Sequence, residues 1–247
     1  MGEPMPGLGT LINTLAIAVA GVLGLMLRRV LHQRYQESII TASGVAVAFL
    51  GAAGSLAKML QMSPDGAGLE VHGALLMILS LILGALTGEI IDIDRGFTRF
   101  GVWLKRKSGS SKDPRFVDAF VTASLTVCVG AMAIIGAIED GLRGDISVLA
   151  AKSLLDFFII LMMAASMGRG AGFAALPVLL LQGSVTILAK LVEPIMTDTV
   201  IGNISLVGNV LIACVGLNLV RPRTVNVANL LPALLFAIGF SFVPALA

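Results

Sequence analysis

Eight long apolar stretches divide this chain of 247 residues, and seven of them contain no Asp, Glu, Lys or Arg. A helix needs about 17 to 25 apolar residues to cross the hydrocarbon core of a bilayer, and every stretch reaches that length. A chain that crosses lipid must satisfy its own backbone hydrogen bonds, as a helix does. The predicted membrane segments, numbered one to eight, are 10–27, 38–57, 71–88, 119–138, 146–168, 170–189, 199–220 and 224–246.

Composition places the chain among integral membrane proteins. Hydrophobic residues make up 57% and charged residues 13% of the sequence, and the mean hydropathy is +0.96, whereas soluble domains carry roughly 25% charged residues. The high hydropathy makes the lipid bilayer the expected partner. Because the net charge is only +2, we expect no binding to nucleic acid. The predicted fold class is all-α, a polytopic transmembrane bundle of about eight helices that forms a single integral membrane domain over residues 1–247.

The cationic residues between the segments predict the orientation. Thirteen Lys and Arg residues lie in loops one, three, five and seven, whereas the other side holds three, namely Lys58, Arg143 and Lys190. Cytoplasmic loops carry the excess of Lys and Arg, so we expect a multi-pass protein with both termini outside. The residues before segment one include Glu3 and no Lys or Arg, so we expect that segment to be a retained helix rather than a signal peptide.

Glycine is frequent, with 28 residues, and several recur at the spacing of helix contacts, as Gly84 and Gly88 do. Small residues let helices approach closely in lipid, and such a face serves either packing within the chain or a homodimer. Segments one and two are spaced like segments six and seven. This similarity suggests an inverted-topology repeat with broken helices, an arrangement that many secondary transporters share.

Two ionisable residues, Lys152 and Asp156, lie inside segment five. An ionisable group within a membrane span is costly and indicates a functional site by default. Their spacing of four puts them on one helix face, with Ser153 one position round, and Asp156 falls roughly 15 Å deep, near the bilayer midplane. We therefore predict a substrate or ion site here. The alternative is an ion pair that only joins neighbouring helices.

Amide side chains in other segments are candidates for the same site. Gln182 follows the helix-distorting Pro177 in segment six, and Asn209 lies in segment seven. A buried amide needs hydrogen-bond partners in lipid, so we expect both side chains to face inward. Interhelical hydrogen bonds are the alternative role for each of them.

A charged stretch joins segments four and five on the predicted outer side. We expect a nonhelical loop from Glu139 to Asp145, because this stretch also contains Gly141 and Gly144. Glu139 and Asp140 could gather cations or line an entrance there. Asp145 is well placed as the N-terminal cap of the following helix.

The residues that metal and enzyme chemistry would need are scattered. Cys128 and Cys214 lie apart in apolar runs, and His32 and His72 are single residues predicted at opposite membrane faces. We therefore expect no metal, no cofactor and no enzymatic activity.

Short motifs of small and polar residues are spread from Gly7 to about Phe240. They are Val121-Thr-Ala-Ser124, Val129-Gly-Ala-Met-Ala133, Gly136-Ala-Ile-Glu-Asp-Gly141, Gly144-Asp145, Lys152-Ser-Leu-Leu-Asp156, Pro177-Val-Leu-Leu-Leu-Gln182-Gly, Val207-Gly-Asn209 and Gly216-Leu-Asn218. Together they resemble the domain-of-unknown-function 554 (DUF554) family of bacterial inner-membrane proteins. The resemblance implies a location in the bacterial plasma membrane and supplies no activity.

The site prediction therefore carries the functional interpretation. We expect a secondary transporter of a small polar or zwitterionic solute, with ion or proton coupling as an option, because transporters hold substrates and coupling ions near the midplane. The alternative is a channel or a membrane scaffold or sensor subunit.

Overall fold

Helices form almost all of the protein in the computed structural model, which describes residues 6–30, 32–62, 68–128, 131–221 and 224–243. The helices are α1 (Leu8–Val30), α2 (Gln33–Met59), α3 (Ala74–Ile91), α4 (Ile93–Lys107), α5 (Phe116–Cys128), α6 (Ala131–Arg143), α7 (Ser147–Met167), α8 (Ala175–Ile187), α9 (Ala189–Val192), α10 (Asp198–Val220), α11 (Val227–Leu230) and α12 (Ala233–Phe240). A 3-10 helix, Arg169–Ala174, leads into α8.

The described residues contain six helices that are long and apolar enough to cross a membrane, and a seventh span if α5 and α6 count as one. The axes of α5 and α6 differ by 63°, as in a broken span or a re-entrant loop. The eighth predicted segment corresponds to the shorter pair α11 and α12, with Pro232, which lacks a backbone N–H, just before α12. The predicted polytopic helical membrane bundle is confirmed.

Two elements lie in connections between the predicted segments. An antiparallel hairpin of β1 (Leu60–Met62) and β2 (Leu69–Val71) follows α2. The second element is α4, whose partly buried Phe100 and buried Leu104 pack with Phe116 and Phe120 of α5. Because its basic residues lie mostly on the exposed side, α4 is amphipathic.

The described residues fall into two compact units. The first unit consists of the described residues within Met1–Ser43, Gly96–Cys128 and Met132–Pro194. The second unit consists of the described residues within Gly44–Arg95, Val129–Ala131 and Ile195–Ala247. The single integral membrane domain and the inverted repeat remain predictions.

In the first unit, α1 packs closely along α7 at glycine positions, where no side chain separates the two helices. A Cβ atom on Gly24 would collide with the Leu161 carbonyl and lie 2.7 Å from the Ala164 Cβ. Near the other end of α1, a Cβ on Gly9 would lie 2.9 Å from Leu149 Cδ1. Glycine thus allows the two helices the close approach that membrane helix packing requires.

The second unit uses the same kind of packing around a small apolar core, whose buried members are Leu76, Val207, Ala233 and Ala237. A Cβ on Gly84 would collide with Ala233, and one on Gly88 would collide with the Asn229 carbonyl. These two glycines therefore pack α3 against α11 and α12 within the chain. The homodimer remains a prediction.

Replacing Gly24 by Ala should destabilise the first unit, because the added methyl group must displace the Leu161 backbone. Overpacking of this kind costs about 1 to 3 kcal/mol, and we expect a melting temperature lower by about 2 to 4 °C for each kcal/mol, measured in detergent. Gly183→Ala in α8 is the matched control, since a Cβ there meets no atom within 4 Å. Equal melting temperatures for the two variants would contradict this packing.

Candidate functional site

The ion pair within α7 is the centre of the candidate site. The Lys152 Nζ lies 2.9 Å from Oδ1 and 2.7 Å from Oδ2 of Asp156. The two residues are only 7% and 3% exposed, respectively. The shared helix face predicted from their spacing is confirmed, and the charges lie inside the first unit rather than on its surface.

The third hydrogen bond of the ammonium goes to the backbone. Lys152 Nζ donates to the Val127 carbonyl at 2.8 Å, and with the two carboxylate contacts this uses all three N–H groups of the lysine. Val127 lies in the last turn of α5, and a helix leaves carbonyl groups without intrahelical partners at that end. The helix dipole also favours a cation there, so the lysine is held by both α5 and α7.

Asn13 of α1 completes the surroundings of the carboxylate, and sequence reasoning missed it. Its Nδ2 donates to Asp156 Oδ2 at 3.1 Å and to Gln182 Oε1 at 3.3 Å. Asn13 is the only amide in the first apolar segment, which is the one signal that could have indicated it. The predicted inward orientation of Gln182 agrees with its burial, since it is 1% exposed.

Two polar atoms in this cluster have no hydrogen-bond partner among the described residues. They are the acceptor Asn13 Oδ1 and the donor Gln182 Nε2, and both are fully buried. Buried polar groups in proteins are almost always paired. The cluster therefore offers one acceptor and one donor beside an ion pair.

Asp140 holds the start of α1. It is fully buried, and its carboxylate accepts hydrogen bonds from the backbone N–H groups of Gly7 at 3.0 Å and Thr10 at 3.2 Å. A carboxylate at a helix N-terminus pairs with N–H groups that lack intrahelical partners and with the positive end of the dipole. The hydroxyl groups of Thr10 and Thr186 lie 3.2 Å apart between this cap and the amides of Asn13 and Gln182.

The predicted loop from Glu139 to Asp145 is wrong in its extent. Helix α6 continues through Arg143, because charged residues can leave the apolar layer without breaking a helix. The chain turns at Gly144, whose φ of +65° favours glycine. Glu139 is half-buried on α6.

Asp145, predicted as the N-terminal cap of the next helix, lies one residue before the cap position of α7, which is Ile146. Its Oδ1 accepts a hydrogen bond from the backbone N–H of Ser147, the first residue of α7, at 2.9 Å. Hydrogen bonds from the Ser147 side chain and backbone lower the pKa of the Asp145 carboxyl. The carboxylate thus stays ionised at the start of the helix.

Two predicted site residues make other contacts. Ser153 Oγ donates to the Leu149 carbonyl of its own helix at 2.6 Å, so its hydroxyl is used one turn back. Asn209 belongs to the second unit, where its side chain lies against Gly54. Within the described residues, no group of three or more His, Cys, Asp or Glu side chains could hold a metal ion.

Lys152→Met should destabilise the protein more than the double change Lys152→Met and Asp156→Leu. The single variant leaves a buried carboxylate without its cation, which costs about 3 to 5 kcal/mol, whereas replacing both members of a buried pair is often neutral. Thermal unfolding in one detergent compares the two variants. A double variant that is no more stable than the single one would contradict the buried pair.

Asp140→Ala should loosen the start of α1, since it removes both cap acceptors. The loss of a helix cap costs about 0.5 to 2 kcal/mol, and we expect faster amide hydrogen exchange at the start of α1 together with a lower melting temperature. The neighbouring variant Glu139→Ala is the control. If both variants exchange alike, Asp140 does not act as the cap.

Comparison with known proteins identifies the family. The family described as "Protein of unknown function (DUF554)" matches residues 8–242. The chain is 30% identical to an uncharacterized membrane protein of Bacillus subtilis (strain 168), YdfK, over 92% of both chains. It is 32% identical to an uncharacterized protein of Escherichia coli (strain K12), YqgA, over 95% of this chain and 96% of the relative. No solved structure matches. The chain therefore belongs to the DUF554 family.

Proposed function

We propose that the protein is a secondary transporter of a small zwitterionic solute. Its substrate site is formed by Lys152, Asp156, Asn13 and Gln182. The observation that carries the proposal is the unpaired acceptor and donor, Asn13 Oδ1 and Gln182 Nε2, buried beside the ion pair. Asp140 caps α1 rather than binding solute, and Ser153 and Asn209 are not part of this site.

The energetics of the cluster favour a functional role. A buried ion pair is seldom more stabilising than apolar side chains of similar volume, because both charges lose their hydration. In a membrane span this cost makes ionisable residues rare outside substrate and ion pathways. Two unpaired amide atoms add to the cost, and a ligand that pairs with them would recover it.

A zwitterion matches the chemistry of the cluster. An ammonium group of the solute can donate to Asn13 Oδ1 beside the Asp156 carboxylate. A carboxylate group can accept from Gln182 Nε2 beside the Lys152 ammonium. Amino acids carry these two groups within a few bonds of each other, so they are the substrate class we propose.

The polar face of α1 supports an access route from the N-terminal end of that helix. Thr10 and Asn13 lie on the face that meets Asp140, Thr186 and Gln182. The buried residues on the other half of α1 are apolar or glycine, namely Ile17, Ala20, Gly21 and Gly24. With both termini outside, as the loop charges predict, the polar half faces outward and the apolar half closes the route inward.

The break between α5 and α6 supports coupling to an ion or proton. Transporters often bind coupling ions at the C-terminal ends of interrupted helices, where carbonyl groups are available. Here Lys152 contacts such a carbonyl at Val127 and bridges it to Asp156. We propose that a proton or cation exchanges at this position during transport.

Transport accounts for this cluster better than the other candidate functions. An enzyme would need a nucleophile with a base, or a metal, and the cluster consists of one ammonium, one carboxylate and two amides. The role of a scaffold or sensor subunit does not require an unpaired donor and acceptor buried beside an ion pair. We therefore propose no catalytic activity.

The test is ligand binding followed by transport. Purified protein is screened by thermal shift against amino acids, organic anions and inorganic ions, and the ligand that stabilises it is then followed into proteoliposomes with and without an imposed ion gradient. We expect Gln182→Ala and Asn13→Ala to weaken its binding about tenfold to hundredfold, because each leaves a ligand group unpaired. Asp156→Asn should abolish gradient-driven uptake.

The matched control is Asn203→Ala, which removes an amide that donates to Ser241 Oγ at 2.9 Å in the second unit. This variant should bind and transport like the wild type. Equal stabilisation of the wild type, Gln182→Ala and Asp156→Asn by the ligand would refute the site assignment.

A further inference from the structure

A cavity lies at the C-terminal end of α1 in the first unit, and none of the residues of the ion-pair cluster lines it. Its volume is about 420 Å³. The lining residues are Val22, Leu25, Met26, Arg28, Arg29, Asp113 and Arg169. Three arginines face one aspartate, an excess of two positive charges. Asp113 is the one carboxylate among these lining residues, so two of the positive charges have no counter-charge within the lining.

The backbone is shaped to accommodate one of these arginines. Gly168 ends α7 with a φ of +109°, a conformation that favours glycine. A Cβ atom at this position would collide with the Arg28 guanidinium and lie 3.6 Å from Asp113 Oδ2. Arg169 follows directly in the chain. Gly168 therefore makes room for Arg28 and places Arg169 at the same cavity.

The apolar side of the cavity forms a stripe along α1. One helix face carries Val22 and the residues that follow it by three, four and seven positions, namely Leu25, Met26 and Arg29. Val22 and Met26 are each 60% exposed, and in a membrane span such side chains contact hydrocarbon. The stripe leads from this apolar surface to the arginines. A small free anion would use only the arginines, whereas an amphiphile would use both parts.

We propose that this cavity binds an anionic phospholipid. The headgroup phosphate contacts the arginines, and an acyl chain lies along Val22 and Met26. Arginine suits this role because its planar guanidinium donates two hydrogen bonds to a phosphate. Asp113 opposes the bound charge and limits the affinity. This site is independent of the proposed transport function.

The test compares lipids and variants by native mass spectrometry and by thermal shift of the full chain in detergent. We expect phosphatidylglycerol, which is anionic, to bind and stabilise the wild type more than phosphatidylcholine, which is zwitterionic. The loss of each cavity arginine should weaken phosphatidylglycerol binding about fivefold, so Arg28→Gln with Arg169→Gln should weaken it about twenty-five-fold. Asp113→Asn should strengthen it.

The control is Arg106→Gln with Lys107→Gln, which removes the same charge from the exposed end of α4. This variant should bind phosphatidylglycerol like the wild type. An equal loss in both double variants would show a general surface charge effect and overturn the proposal. Full competition by glycerol phosphate, which has no acyl chain, would also overturn it in favour of a free anion site. Because Asp113→Asn predicts a gain, unchanged or weaker binding in that variant counts against the proposal even if the arginine variants fold poorly.

Discussion

Polar side chains in membrane-spanning helices must find their partners inside the protein, and the first unit is arranged around that constraint. The Lys152 ammonium needs three acceptors and takes two from Asp156 and one from the end of α5. The carboxylate accepts a further hydrogen bond from Asn13 on α1. Three helices thus meet at one pair of charges, because lipid offers no alternative partner.

Glycine makes this meeting possible. The side chain of Asn13 is short, and it reaches Asp156 only because α1 and α7 approach closely on both sides of it. Gly9 lies against Leu149 at one end of the contact, and Gly24 lies against Leu161 at the other. Van der Waals packing at the glycines therefore sets the distance between α1 and α7, and the hydrogen bonds set how the two helices are aligned along each other.

Sequence patterns predict the structural features that depend on residues close to one another in the chain. The membrane spans follow from the uncharged stretches, and the Lys152–Asp156 pair follows from helical periodicity. The roles of Asn13 and Asp140 depend on contacts over 143 and about 130 residues of chain, which no local pattern encodes. The glycines and carboxylates between Glu139 and Asp145 predict a loop, whereas α6 runs through Gly141 to Arg143 and only the backbone of Gly144 makes the turn. Asn209 shares the residue type of the site but belongs to the other unit.

The long chain separation of Asn13 and Asp156 has a consequence for biogenesis. Synthesis proceeds from the N-terminus, so α1 exists well before α7, and Asn13 waits for its acceptor until Asp156 has been made 143 residues later. A single amide in the uncharged segment 10–27 is a small cost for membrane insertion. Lys152 and Asp156 arrive together one turn apart and neutralise each other from the start. The helix with the most costly residues thus brings its own counter-charge.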